Sequence, residues 1–341
     1  MSQVQVIIPI YHPDAKFTAC LRALQQQKGI DFSLLVIDSG SEQSVWREEA
    51  SKMSAQVIAI DAADFNHGGT RQMGMEQEPE ADVYCFLTQD AIPADENALD
   101  CLVAAFDAPQ VGCAYGRQLP HAGASLFATH ARAFNYPTAS RTVTFADRTR
   151  YGIKTAFCSN SFAAYRRKAM QSVGGFPTHT ILSEDMYEAA RMLQQGWSVA
   201  YVADACVYHS HDYSVCQEFH RYFDIGVFHS REAWIRETFG QAEGEGSRFV
   251  RDELEQILRH EPWLLPAMFL RDGAKFLGYR LGLLEQHLPQ TLCRMLAMNK
   301  AFYKELSMST TGGQCASPRG QIGYICLAQA SAYATESQVA A

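Results

Sequence analysis

Val83-Tyr84-Cys85-Phe86-Leu87-Thr88-Gln89-Asp90-Ala91 is the stretch on which the fold turns. Its first five residues are apolar without interruption, the pattern of a strand buried on both faces. The run stops at a polar triplet holding one carboxylate, Asp90, and Ile92-Pro93 follows shortly after. In open α/β sheets, ligands bind at the carboxyl edge of such strands. Asp90 is therefore the first candidate site residue, and its hard oxygen suits a metal ion.

Working back from that strand, residues 4–9 read as a first strand and residues 15–27 as a helix with Phe17, Leu21 and Leu24 on one face, closed by Gly29. Residues 32–37 form a second apolar run that ends in Asp38-Ser39-Gly40-Ser41. A helix over 46–53 and a strand over 57–60 follow. This alternation predicts an α/β fold, a mostly parallel sheet flanked by helices with right-handed crossovers. Just before the central strand comes Phe65-Asn66-His67-Gly68-Gly69-Thr70-Arg71. A Gly pair opening a helix can offer free N–H groups and the helix dipole to an anion, with Arg71 adding a charge. A plain turn and cap fits the same letters.

Beyond the strand, a helix over 97–106 and a short strand over 111–116 are expected. Residues 117–151 are irregular and carry His121, His130, Arg132, Arg141, Arg148 and Arg150. They read either as a loop that orders over a ligand or as a stretch containing an amphipathic helix at 125–134. Residues 155–165 look strand-like and 166–173 helical. Ser183 reads as the N-cap of a helix over 184–195, with Glu184 and Asp185 compensating its dipole. Strands over 198–202 and 205–208 run into His209-Ser210-His211-Asp212.

The remainder, to about residue 304, is helical and aromatic-rich, with Arg271, Lys275, Arg280, Arg294 and Lys300 interleaved with Trp263, Phe269, Phe276 and Tyr279. It reads as a packed subdomain whose basic amphipathic surface could touch a membrane. From residue 307 the composition is that of a loose tail. The boundaries expected are thus 1–213 for the α/β domain, 214–306 for the helical extension and 307–341 for the tail.

The 341 residues are 47% hydrophobic and 19% charged, with a net charge of −8. That suffices for a large core and argues against a nucleic-acid partner. Neither a signal peptide nor an apolar run of membrane-spanning length is visible. The ten Cys form no CxxC pair, which points to reduced thiols in a cytoplasmic protein.

Taken in order, Val6-Ile7-Ile8-Pro9-Ile10-Tyr11 and Val36-Ile37-Asp38-Ser39-Gly40-Ser41 resemble the opening of family-2 glycosyltransferases of the GT-A fold. The 65–71 segment, Thr88-Gln89-Asp90-Ala91 and Ser183-Glu184-Asp185 look like the bacterial rhamnosyltransferase branch of that family. The resemblance runs from about residue 4 to 213. It implies that Pro9, Tyr11 and Asp38 line the base and ribose pocket, with Gln89 on the donor side. Gly68, Gly69 and Arg71 would approach the diphosphate, and Asn160 would face the donor sugar or acceptor. Asp90 would stand for the last acid of the family's Asp-x-Asp motif, whose first acid is here Thr88, and His209 for a further ligand to Mg²⁺ or Mn²⁺. Asp185, with Glu184 beside it, would activate the acceptor hydroxyl.

The function so implied is inverting transfer of L-rhamnose from dTDP-β-L-rhamnose to a cell-surface polysaccharide, O-antigen-like and lipid-linked. The place would be the inner face of the cell membrane, with peripheral contact through the C-terminal helices. Two alternatives share these motifs: a family-2 transferase using a UDP-hexose, and a catalytically weak glycan-binding homologue. A nucleotidyltransferase would open with a Gly-rich loop, which is missing after Ile10.

Overall fold

The computed structural model describes residues 3–41 and 45–311. Its strands are β1 (Val4–Ile10), β2 (Phe32–Asp38), β3 (Gln56–Ala59), β4 (Val83–Leu87), β5 (Ile92–Pro93), β6 (Val111–Leu119), β7 (Arg141–Val143), β8 (Phe162–Arg166) and β9 (Ser198–Tyr208). The first eight helices are α1 (Ala15–Gln25), α2 (Trp46–Lys52), α3 (His67–Gln77), α4 (Ala98–Val103), α5 (Leu126–Asn135), α6 (Arg148–Tyr151), α7 (Arg167–Val173) and α8 (Glu184–Gln194). After β9 come α9 (Val215–Arg231), α10 (Ala233–Phe239), α11 (Glu243–His260), α12 (Leu265–Leu283), α13 (Gln290–Leu296) and α14 (Lys300–Thr311).

One mixed sheet carries the strands in the order β3-β2-β1-β4-β8-β6-β9-β5, with β7 also pairing β9. Strands β1, β2, β3 and β4 pair in parallel, as do β6 and β9. Between these parallel groups lies β8, antiparallel to both β4 and β6. The carboxyl ends of β1, β2, β4, β6 and β9 therefore share one edge with the amino end of β8. The order reverses between β1 and β4, which opens a crevice at that edge.

Burial follows the apolar pattern. All five residues of β4 are buried, and Phe17, Cys20, Leu21 and Leu24 of α1 pack into the same core as Trp46. Asp14 caps α1 by accepting the Lys16 N–H. That helix ends at Gln26, whose N–H returns to Ala23 and Leu24, so Gly29 lies beyond it in the turn to β2.

Several expectations change. The strand-like reading of 155–165 gives way to a 3₁₀ turn over Gly152–Ala156 and a tight turn at Ser159, and the strand begins only at Phe162. Small polar Ser159-Asn160-Ser161 favours the turn over continued pleating. The two strands expected over 198–208 are one strand with a register shift against β6. Residues 117–151 are ordered into the end of β6, α5, β7 and α6, with Ser125 capping α5.

Met1–Met298 form one compact unit and Asn299–Ala341 a second, of which α14 is described. The expected boundary at 213/214 falls inside the first unit, because α11 meets α5 through His130 with Asp252 and Glu253. Close contact of α12 with α9 binds the helices further: a Cβ on Gly282 would come 2.1 Å from the Phe223 carbonyl oxygen. The expected boundary at 306/307 falls inside α14, and the tail beyond 311 lies outside the described residues.

Candidate active site

Side chains at the carboxyl edge form two walls. The first begins where β1 ends. Tyr11 is 53% exposed at the mouth of the crevice. Gln89 brackets its backbone, accepting the Tyr11 N–H at 2.8 Å and donating to the Tyr11 carbonyl at 3.2 Å. Gln89 thus ties the ends of β1 and β4 together. Pro9 is half-buried within β1. Asp38, at the end of β2, is buried; it accepts the Ser41 N–H at 2.8 Å and pairs Arg47 at 2.7 Å. Its carboxylate organises the turn after β2, so both of its oxygens already have partners.

Asp90 sits past the tip of β4 with two imidazoles. Its Oδ1 lies 3.4 Å from His209 Nε2 and its Oδ2 lies 3.7 Å from His211 Nε2. One ligand atom from each of the three falls within 4.8 Å of the others. His209 is placed by the ladder, since its N–H donates to the Leu119 carbonyl at 2.8 Å. His211, two residues on, meets the same carboxylate.

The tautomer of His209 is fixed by Gln118. Arg132, which can only donate, points at Gln118 Oε1, so that atom is an acceptor. His209 Nδ1, 2.9 Å from the same oxygen, must therefore carry a proton. That leaves Nε2 facing a carboxylate, and either a proton or a divalent cation must lie between them. Burial works against the charge of Asp90. The hydrogen bond from His209 and the closeness of the two imidazoles prevail and hold its carboxyl well below the usual range. Burial pushes His211 down to about 4, so it is neutral and its lone pair is free. One carboxylate oxygen and two imidazole nitrogens form a ligand set that suits a divalent transition ion such as Mn²⁺ better than Mg²⁺. Beside the cluster opens a cavity of about 440 Å³ lined by Lys16, His121, Gly123, Ser210, His211 and Asp212.

The second wall is the start of α8. Ser183 does not cap it. Its φ is +60° and its side chain makes no capping bond, because the chain enters α8 through a left-handed turn. Glu184 is buried and faces Arg71 at 3.1 Å, each side chain only 6% exposed. Asn160 joins both acids: its Nδ2 donates to Glu184 Oε1 at 2.9 Å and its backbone N–H to Asp185 Oδ2 at 3.0 Å. Tyr165 fills the Asn160 Oδ1 at 2.8 Å, and the Met186 N–H meets Asp185 Oδ1 at 2.8 Å.

The two acids are driven apart. Burial opposes the charge of Glu184, but Arg71 above all, then His67 and Asn160, bring its carboxyl below the ordinary value. Burial, and then the charge of Glu184, pushes Asp185 up to about 7.

Three residues expected at a diphosphate belong instead to this second wall. Arg71 is the buried counter-ion of Glu184 and also donates to the His67 carbonyl. The Gly69 N–H is taken by the Asn66 cap. Gly68 answers a close approach: a Cβ there would lie 1.8 Å from the Pro177 carbonyl oxygen. Asn160 is only 3% exposed, and its amide bonds Glu184 and Tyr165, so it positions the acids.

The walls are joined by the turn before β8. Gln118 donates to Ser159 Oγ at 2.9 Å, Thr88 N–H reaches the Ser161 carbonyl at 3.4 Å, and Asn160 between them holds the acid pair. A hydrogen-bonded chain thus runs from His209 through Gln118 to the turn whose Asn160 holds Asp185.

Sequence reasoning did not single out His211 as a ligand, Gln118 as the partner of His209, or Arg221. The i, i+2 spacing of His209 and His211 at a strand end is a usable signal for the first. Arg221, from α9, lies over Tyr213 at 5.7 Å, and that ring stacks on His211 at 5.1 Å.

Comparison with known proteins identifies the family. The family described as "Glycosyltransferase like family 2" matches residues 2–228. The O-antigen chain rhamnosyltransferase RfbN of Salmonella typhimurium is 45% identical over 309 residues, 91% of this chain and 98% of that protein. WbaN of Salmonella anatum, another O-antigen chain rhamnosyltransferase, is 44% identical over 312 residues, 91% of this chain and 99% of its own. Among solved structures, S. aureus TarS 1-349 matches with a TM-score of 0.54 at 15% identity, covering 92% of this chain and 93% of that one. The mannosyltransferase PcManGT from Pyrobaculum calidifontis, solved with GDP-Man and Mn²⁺, matches with a TM-score of 0.50 at 16% identity over 91% and 87%. At such identities the two structures speak for the fold alone.

Proposed function

This chain belongs to glycosyltransferase family 2, and from that premise we propose that it moves L-rhamnose from dTDP-β-L-rhamnose onto a hydroxyl of an O-antigen-like, lipid-linked glycan with inversion. The observation that carries the mechanism is the pair of oppositely tuned carboxylates, Asp90 and Asp185, on two walls joined by one turn. Asp90, His209 and His211 would hold Mg²⁺ or Mn²⁺, which when bound supplies charge for a departing diphosphate.

Asp185 is the general base. It takes the proton of the acceptor hydroxyl as that oxygen attacks the anomeric carbon, and the bond from carbon to the diphosphate oxygen breaks in the same displacement. Two backbone N–H groups, of Asn160 and Met186, hold its oxygens in place. Arg71 neutralises Glu184, so one acid of the pair changes protonation and the other keeps its charge. Tyr11, exposed at the mouth of the crevice, is placed to stack on the base of the donor.

Donor screening with purified enzyme and an O-antigen-type acceptor tests the reading. Release of dTDP from dTDP-rhamnose, with transfer, is expected; turnover of a UDP-hexose in its place would overturn the donor assignment.

No helix among the described residues is long and apolar enough to cross a membrane. A peripheral seat at the inner face of the membrane is supported by α12, which leaves Phe269, Leu270, Phe276 and Leu277 exposed, with Trp263 before it. Flotation with anionic vesicles checks this seat: protein that stays at the bottom of the gradient would remove it.

A further inference from the structure

A second cavity, of about 370 Å³, lies between α5, β7, α6 and α11. Arg141, Arg150, Lys154 and Arg248 line it with a single carboxylate, Glu245. That one acid serves two of the cations, Lys154 at 2.9 Å and Arg248 at 2.7 Å. Among the described residues Arg141 and Arg150 form no carboxylate ion pair within 4 Å, although the charge of Arg150 reaches Asp147 and Arg141 bonds Tyr115; both lie over the ring of Tyr151, at 5.2 and 5.0 Å. Lys154 also lies over Phe134 at 4.3 Å, and burial lowers its affinity for a proton although Glu245 pairs it. In a chain of net charge −8, four cations around one lining carboxylate leave an excess of positive charge in this cavity. Like charges held this close are costly unless an anion joins them.

The position of the cavity relates it to the transfer site. Helix α5 starts at Ser125, whose N–H and hydroxyl meet Asp212 next to His211. Arg132 of the same helix supports Gln118, and Phe134 and Asn135, at its end, line the cavity. Ten residues of helix span about 15 Å. A ligand anchored by its charge at one end of α5 would extend along the helix toward the cluster at the other.

We propose that this basic cavity is an anion site for a phosphate or diphosphate group carried by the acceptor. The guanidinium forks of Arg141 and Arg150 suit phosphate oxygens, and the Tyr151 ring holds them in place. That the anion is the acceptor's rests on the proposed glycosyl transfer; that the cavity binds a diphosphate does not.

Calorimetric titration of the full chain with inorganic pyrophosphate, in EDTA so that the Asp90 cluster holds no metal, tests the site itself. Saturable binding is expected, weakened about tenfold by Arg150→Gln or Arg248→Gln and unchanged by Asp90→Ala. Both arginines are exposed on the rim, so these variants serve even where Arg141→Gln fails to fold. No saturable binding, or binding lost in Asp90→Ala and kept in the arginine variants, would overturn the site.

Transfer assays then separate the source of the anion. In Arg150→Gln the KM for a diphosphate-bearing acceptor should rise about tenfold with kcat unchanged, while a phosphate-free glycan acceptor is used as before. Equal effects on both acceptors would overturn the assignment to the acceptor. Pyrophosphate binding without transfer from any donor would leave the anion site standing and count against the transferase reading.

Discussion

Asp90 and Asp185 are the same residue type at the same edge of the sheet, yet they are held in opposite states. Asp90 faces imidazoles beside an open cavity, and pairing keeps it ionised. Asp185 is crowded by a second carboxylate whose counter-ion, Arg71, is already engaged, so it titrates near neutrality. One wall thus offers a fixed negative charge to a cation, and the other offers a group able to take a proton at working pH. Separating two acids in this way is how one site assigns two roles.

The difference can be broken at either end. Asp185→Asn keeps the shape and removes the base; kcat should fall by about a thousandfold while the dTDP Kd, measured calorimetrically with Mg²⁺, stays within about twofold. Asp90→Ala should act on binding instead. The affinity for dTDP in the presence of Mn²⁺ should drop by about a hundredfold and become insensitive to EDTA. A variant whose dTDP affinity still depended on the metal would show that the cation is held elsewhere.

Smaller changes sharpen the contrast. Gln118→Leu removes the acceptor that fixes the His209 tautomer, and Mn²⁺ affinity, followed by the relaxation of water protons, should weaken about tenfold. Gly68→Ala places a methyl against the Pro177 carbonyl and should cost about 1–3 kcal/mol of stability, read as a lower Tm, with the metal affinity kept.

What the sequence allowed, and what it withheld, has physical reasons. Apolar runs closed by turn residues mark β1, β2 and β4, and a strand end followed by one acid or one His marks Asp90 and His209. Strand direction is not written in an apolar run, so the antiparallel insertion of β8 was invisible, and with it the turn that joins the two walls. Gly68-Gly69 before a helix looks the same whether an anion or a carbonyl approaches it. Ser183 ahead of two acids reads as a cap, but its left-handed backbone turns the hydroxyl away from that task. The Arg71–Glu184 pair closes only in three dimensions, between α3 and α8, and it converts an expected phosphate contact into a buried counter-ion.

The most direct test of the central claim is the pH dependence of kcat/KM for the acceptor, at saturating metal, in the wild type and in Asp185→Asn. The raised proton affinity of Asp185 means that the base is protonated and idle below about 7 and free above it. The wild-type profile should climb with pH through a midpoint near that value and level off, and the residual activity of Asp185→Asn should lack the climb. The same ascending limb in both proteins would contradict the assignment of Asp185 as the base.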